Sequence, residues 1–183
     1  MSKQVLVPIA EGTEELEAVT IIDVLRRAGA VVTVASVAGL QVTASRGVNL
    51  VADTLISECS GKDYDLIVLP GGMPGAQNLS DSGLLGVLLK RQFEEGRGYA
   101  AICASPAVVL EHHGLLEGKK ATCYPSFSDR MRSAEVLSER VVVDGQCVTS
   151  QGPGTALEFA LTLVEMLFGK EKAREIARAM VVS

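Results

Sequence analysis

Apolar residues fall into two alternating patterns along this chain. Gln4 to Ile9 (QVLVPI) is almost continuously apolar, as expected of a strand buried on both faces. From Glu14 to Ala28 the spacing becomes helical. Leu16, Val19, Ile22 and Leu25 repeat on one stripe with Ala18 beside it, and Arg26, Arg27 and Gly29 make a good stop. Val31 to Ser36 (VVTVAS) is a second continuous run. Strand, helix and strand in this order predict a parallel sheet with a crossover helix.

Further on, Leu40 to Asp53 alternates weakly and predicts a small hairpin around Ser45, Arg46 and Gly47. Asp65 to Leu69 (DLIVL) predicts a buried strand that ends sharply at Pro70, Gly71 and Gly72. Leu84 to Glu95 reads as an amphipathic helix closed by Gly96, and Tyr99 to Ile102 as a short buried strand running into Cys103. Pro106 to His112 reads as a helix with proline in its first turn. Val141 to Val143 and Gln146 to Thr149 flank Asp144-Gly145, a strong hairpin signal. Helices over Ala156 to Phe168 and Glu171 to Ala179 complete the chain.

The alternation predicts an α/β fold, a three-layer sandwich around a mostly parallel sheet, formed by residues 1–183 as a single domain. Ligands in such folds bind beyond the carboxyl ends of the strands. Four loops follow predicted strands and can converge on that rim. They are Glu11-Gly12-Thr13, Pro70-Gly71-Gly72, Cys103-Ala104 and Gln151-Gly152-Pro153-Gly154.

Composition narrows the function classes. Hydrophobic residues make up 48% and charged residues 21% of the 183, which suits a globular core and argues against disorder. The formal net charge is -5 and no Lys/Arg run occurs, so a nucleic-acid partner is not expected. No apolar run is long enough to cross a bilayer, and the N-terminal apolar stretch reads as a first strand rather than a secretory signal. Cys59, Cys103, Cys123 and Cys147 are widely spaced, without metal-ligand spacing. They are expected as free thiols in a reducing compartment, here the cytoplasm. His112 and His113 are adjacent, diverge on a helix and make a poor metal pair; they read as helix-end residues. No metal and no cofactor is expected.

The segment Ala101 to Pro106 carries the most chemistry. An apolar strand stops at Cys103, small residues flank it, and a proline-started helix follows, as in a nucleophile elbow. A helix N-terminus there would lower the thiol pKa and supply N–H groups to an oxyanion. Two readings stand at this point: an activated thiol, or an inert buried cysteine at a strand end. Glu17 is the second candidate. It follows Glu14 and Glu15, which are expected to face water, but can itself turn to the rim, where a carboxyl beside a cysteine shuttles a proton. To stay neutral it would need a pKa raised by burial. Gly71-Gly72 and Gly152-Pro153 read either as plain loops or as pocket walls, and Arg27 and Arg46 as surface charges.

Together these segments resemble the Parkinsonism-associated deglycase family (DJ-one) of the ThiJ/PfpI superfamily. The resemblance rests on EGTEELEAVTIIDVLRRAG, ASRGV, YDLIVLPGGMPGAQNL, AAICASPAVVL and TSQGPGTALEFAL, and covers nearly the whole chain. It implies a flavodoxin-like sandwich, a homodimer, Cys103 as the nucleophilic and oxidation-sensitive thiol, and Glu17 as its protonated partner. It further implies that Gly71, Gly72 and Ala104 form an oxyanion site, that Gly152 and Pro153 complete the wall, and that Arg27 and Arg46 lie near the pocket and dimer interface. The implied activities are cofactor-free glyoxalase, deglycase of early glycation adducts, redox sensing and chaperone-like protection.

The sequence departs from the family in three places. Tyr124 stands where some members have a histidine, and a tyrosine hydroxyl accepts a proton poorly near neutral pH. That leaves Glu17 as the main shuttle. Ala104 follows the cysteine where protease-like relatives have a histidine, so peptidase activity is not expected. Ala44 and Val51 replace peripheral cysteines of some animal members, while Cys123 is a possible neighbour of Cys103.

Overall fold

Strand β1, Gln4–Ile9, runs through the interior of a seven-stranded sheet and sends its side chains alternately to two cores. Val5, Val7 and Ile9 enter one core, Leu6 and Ala10 the other. A strand covered on both faces needs apolar residues at every position, hence the unbroken run. The computed structural model describes residues 2–182.

Helix α1 (Glu15–Arg27) leads to β2 (Val31–Ser36), the short hairpin β3 (Gln41–Thr43) and β4 (Asn49–Val51), and β5 (Thr54–Leu55). Strand β6 (Leu66–Leu69) is followed by helices α2 (Gly75–Ser80) and α3 (Gly83–Glu94), then by β7 (Gly98–Ile102). Strands β8 (Lys120–Ala121) and β9 (Glu135–Val136) pair as a separate ribbon. The chain ends with β10 (Val141–Asp144), β11 (Cys147–Ser150), α4 (Ala156–Phe168) and α5 (Lys170–Ala179).

The sheet order is β10-β11-β7-β6-β1-β2-β5, parallel throughout except for the β10–β11 hairpin. Helices α1, α4 and α5 pack on one face, and α2, α3 and the segment 106–116 on the other. This is the expected three-layer, flavodoxin-like α/β sandwich. Both predicted hairpins form, each in antiparallel register.

Three expectations change. The buried stripe of α1 is Glu17, Ala18, Ile21, Val24 and Leu25, while Leu16 and Val19 are 51% and 50% exposed. Two stripes compete on this helix, and the one that faces the sheet carries a carboxyl. Residues 75–80 form a helix although GAQNLS has no apolar period. Pro106–Leu110 is a single wide π-helical turn rather than a regular helix reaching His112, and that geometry often marks functional sites.

Candidate active site

The loops after β1, β6, β7 and β11 meet at one end of the sheet, as strand ends of a parallel sheet must. Cys103 sits at the tip of β7 with φ 64°, a left-handed conformation that strains any residue with a Cβ. Its neighbours hold it there. The Cys103 amide donates to the Ser150 carbonyl at 3.0 Å, continuing the β7–β11 ladder, and the Tyr124 amide donates to the Cys103 carbonyl at 2.8 Å. Ser105 is fully buried, and its hydroxyl donates to the Pro70 carbonyl at 2.6 Å, tying this elbow to the loop after β6.

Glu17 is fully buried beneath the thiol. Its Oε2 accepts from the Gly71 amide at 2.7 Å, while its Oε1 has no partner of regular geometry among the described residues. Burial pushes this carboxyl up to about 7, and the Gly71 N–H and the Cys103 thiol only partly offset it. Glu17 therefore holds or releases its proton near neutral pH.

The thiol differs from expectation. Burial pushes Cys103 up to about 12, the nearby charge of Glu17 adds to this, and the Gly72 and Ala104 amides pull the other way. The predicted drop from a helix N-terminus does not occur, because a single wide turn follows and desolvation outweighs two N–H groups.

Gly71 shows why the loop after β6 is glycine-rich. A Cβ there would lie 2.5 Å from the Cys103 Cβ and 2.9 Å from Glu17 Oε2. At Gly72 it would meet the Glu14 amide and the Gly12 carbonyl at 2.5 Å. The Glu14 amide donates to the Gly71 carbonyl at 2.9 Å, which locks the loops after β1 and β6 together.

Above the thiol opens a cavity of about 360 Å³, lined by Glu14, Arg46, Met73, Cys103, Tyr124, Phe127 and Pro153, with Ser45, Gly72 and Ala104. Glu14 and Glu15 are half-buried instead of facing water, because they hold the tip of the β3–β4 hairpin. Ser45 Oγ donates to Glu14 Oε2 at 2.7 Å, and the Arg46 amide donates to Glu15 Oε1 at 2.9 Å. That clamp brings Arg46 to the pocket.

The structure thus gathers Cys103, Glu17, Gly71, Gly72, Ala104, Arg46, Tyr124 and Pro153. Gly152 lies one layer behind, against the Tyr124 ring, in an adjoining cavity of about 170 Å³. Arg27 does not join them. It lies almost three turns beyond Glu17 on α1, about 15 Å along the axis, paired with Asp23 at 2.6 Å. The thiol of Cys123 does not share the Cys103 pocket. It donates to the Tyr124 carbonyl at 3.3 Å and lines a separate cavity of about 290 Å³. A larger depression of about 580 Å³ between α4 and α5 has no cysteine in its lining.

Ser45, Met73, Phe127 and the pinning hydroxyl of Ser105 went unread in the sequence. Met73 directly follows Gly72, which was a usable signal; Phe127 sits in the short 3₁₀ segment Pro125–Arg130, whose PSFSDR sequence has none. All four cysteines are free thiols, and no helix among the described residues is long and apolar enough to cross a membrane. No group of three or more His, Cys, Asp or Glu side chains among them is arranged to hold a metal ion.

Comparison with known proteins gives the family and bears out the fold. Residues 3–166 match the DJ-1/PfpI family. Protein DJ-1 homolog B of Arabidopsis thaliana is 53% identical over 98% of this chain, although the chain spans only 41% of that protein's length. The Caenorhabditis elegans protein named glutathione-independent glyoxalase DJR-1.2 is 36% identical, with 100% of this chain and 97% of that one covered. The structure described as oxidized Toxoplasma gondii DJ-1 superposes with a TM-score of 0.98 at 51% identity, covering 100% of both chains.

Proposed function

Because this chain belongs to the DJ-1/PfpI family, we propose that it is a cysteine-dependent glyoxalase that works without glutathione or another cofactor. Its substrates are methylglyoxal, glyoxal or the early glycation adducts they form. The reading is carried by one observation: a strained cysteine set against a fully buried carboxyl that exchanges its proton near pH 7.

The Cys103 sulfur adds to the aldehyde carbon of methylglyoxal, and the thiol proton passes to the Glu17 carboxylate as the S–C bond forms. A thiol with a raised pKa needs such a base, and a base titrating near 7 is suited to the task. The oxygen of the adduct receives the Gly72 and Ala104 N–H groups. Glu17 passes the thiol proton on to the adduct oxygen, giving a hemithioacetal. As a carboxylate again, it moves the hydrogen of the former aldehyde carbon, as a proton, to the adjacent carbonyl carbon through an enediol, while the hydroxyl proton shifts to the neighbouring oxygen. One carbon is oxidised to a thioester and its neighbour reduced to an alcohol, with no external electron acceptor. Water cleaves the thioester, giving lactate and the free thiol; glyoxal gives glycolate.

The test is lactate formation from methylglyoxal, without glutathione, by wild type, Cys103→Ala and Glu17→Gln. Turnover by wild type alone supports the reading; turnover surviving in Cys103→Ala ends it.

A second reading has its own support. Cys103 is partly exposed, amide N–H groups surround it, and a close structural relative is described as oxidized. In this reading the chain is a redox-sensing protective chaperone, and peroxide converts Cys103 through sulfenic to sulfinic acid. A stoichiometric mass gain at Cys103 without multiple-turnover lactate selects it.

The proposed assembly is a homodimer. Leu16 and Val19 on α1 and Val48 and Val51 on the β3–β4 hairpin stand exposed, an apolar surface suited to a second copy. Sedimentation of the wild type beside Val51→Asp tests it. The free thiols support a reducing compartment such as the cytoplasm.

A further inference from the structure

The cavity over Cys103 is larger than the substrate named above requires. Methylglyoxal has five non-hydrogen atoms and fills on the order of 150 Å³, at a water's share of about 30 Å³ per heavy atom. The cavity measures about 360 Å³, so more than half of it is left over. The large apolar side chains of its lining are Met73, Tyr124, Phe127 and Pro153.

These side chains form a built wall. The Tyr124 and Phe127 rings meet edge to face at 6.5 Å and 70°, and the Arg130 guanidinium lies 5.5 Å from the Phe127 ring centre. The Tyr124 ring is also backed by Gly152, where even a Cβ would come within 3.3 Å of it. Tyr124 and Met73 nonetheless remain 43% and 44% exposed at the mouth. Large apolar side chains left open around a nucleophile suit a ligand that covers them, and a braced aromatic ring favours another ring. Arg46 also lines the cavity, and its guanidinium makes no ion pair or side-chain hydrogen bond among the described residues, so it is free to face the carboxylate of a hydroxy-acid product.

We propose that Tyr124, with Phe127 and Met73, selects 2-oxoaldehydes bearing an aromatic or bulky apolar substituent over methylglyoxal. Phenylglyoxal, with ten non-hydrogen atoms, needs on the order of 300 Å³ by the same gauge and fits the cavity. This inference rests on the glyoxalase reading of Cys103. Tyr124 here determines specificity through its ring, and its hydroxyl takes no part in proton transfer.

The products give a test that needs no turnover, and they lack the dicarbonyl that attacks arginine. Protection of Cys103 against iodoacetamide is titrated with mandelate and with lactate, each variant normalised to its own unprotected rate. In parallel, kcat/KM is measured for phenylglyoxal and methylglyoxal. Mandelate is expected to protect at a concentration at least about ten-fold lower than lactate, since even one methylene in an apolar pocket discriminates about 10-fold or more. The ratio should survive Tyr124→Phe and collapse in Tyr124→Ala. Met73→Ala, at an exposed position, is the second variant if Tyr124→Ala fails to fold. Equal protection by the two acids in wild type overturns the inference, as does a ratio unmoved by the alanine variants. Methylglyoxal turnover without ring preference removes this inference and leaves the glyoxalase reading intact. Mandelate selectivity without turnover of either aldehyde removes the glyoxalase reading, and this inference with it, because the selection is among that reaction's substrates.

Discussion

The Gly71 amide donates to Oε2 of Glu17 at 2.7 Å, so that oxygen is an acceptor and the acid proton belongs on Oε1. Burial raises this carboxyl from 4.5 to about 7, which makes stability depend on pH. The folded state binds the proton more tightly than the unfolded chain. The native state therefore keeps its full advantage below about 4.5 and loses it as pH rises through about 7. A shift of this size corresponds to about 3 kcal/mol. Urea unfolding at pH 5 and pH 8 should show wild type losing up to about 3 kcal/mol relative to Glu17→Gln. Parallel pH profiles for the two proteins would contradict the assignment.

Gly71→Ala should separate nucleophile from acid. The new Cβ meets the Cys103 Cβ, Glu17 Oε2 and the Ile102 carbonyl all within 3 Å, and only the carboxylate oxygen is the end of a side chain, one that is fully buried. Turnover should fall by about 100-fold or more, the scale of an ångström-size misplacement of reacting groups. Unfolding free energy should fall by about 1–3 kcal/mol. Steady-state kinetics and chemical denaturation read the two effects separately.

Cys103→Ala and Cys103→Gly both remove the nucleophile but differ in the backbone. With φ at 64°, alanine retains a left-handed cost of about 1–2 kcal/mol that glycine escapes, against glycine's entropic cost of about 0.5–1 kcal/mol. Cys103→Gly should thus be as stable as Cys103→Ala, or more so by up to about 1.5 kcal/mol, with no lactate formed by either. Thermal unfolding of the pair checks this.

Tyr124→Phe should keep methylglyoxal turnover within about three-fold of wild type, since lost acid–base catalysis costs about 100-fold or more. A larger loss, recovered in Tyr124→His, would make this position a proton-transfer site after all.

Much of this arrangement was legible in the sequence, for a physical reason. Strands such as Gln4–Ile9 and Val31–Ser36 are covered on both faces and must be apolar throughout, so they announce themselves. The Cys103 elbow was legible too, because only small residues and a sharp stop allow such a turn. The orientation of α1 was not. Leu16 and Val19 outrank Glu17 on any hydrophobic count, yet the fold buries the carboxyl and exposes the leucine. The direction of the thiol's pKa was equally hidden, because desolvation depends on residues distant in sequence. Arg27 was placed near the pocket by the family resemblance alone; it lies almost three helical turns beyond Glu17, as the surface charge that its own sequence context suggests. Phe127 belongs to a turn that has no period to read.

The interlock of the loops after β1 and β6 also bears on how such proteins diverge. Gly71 and Gly72 leave no room for a side chain beside the Glu14 amide, so the setting of the Cys103–Glu17 pair is closed to gradual change. The rest of the pocket comes from outside that knot, from the hairpin tip at Ser45 and Arg46 and from the turn holding Tyr124 and Phe127. Lineages built on this frame can redraw those two segments while keeping the paired cysteine and carboxyl unaltered.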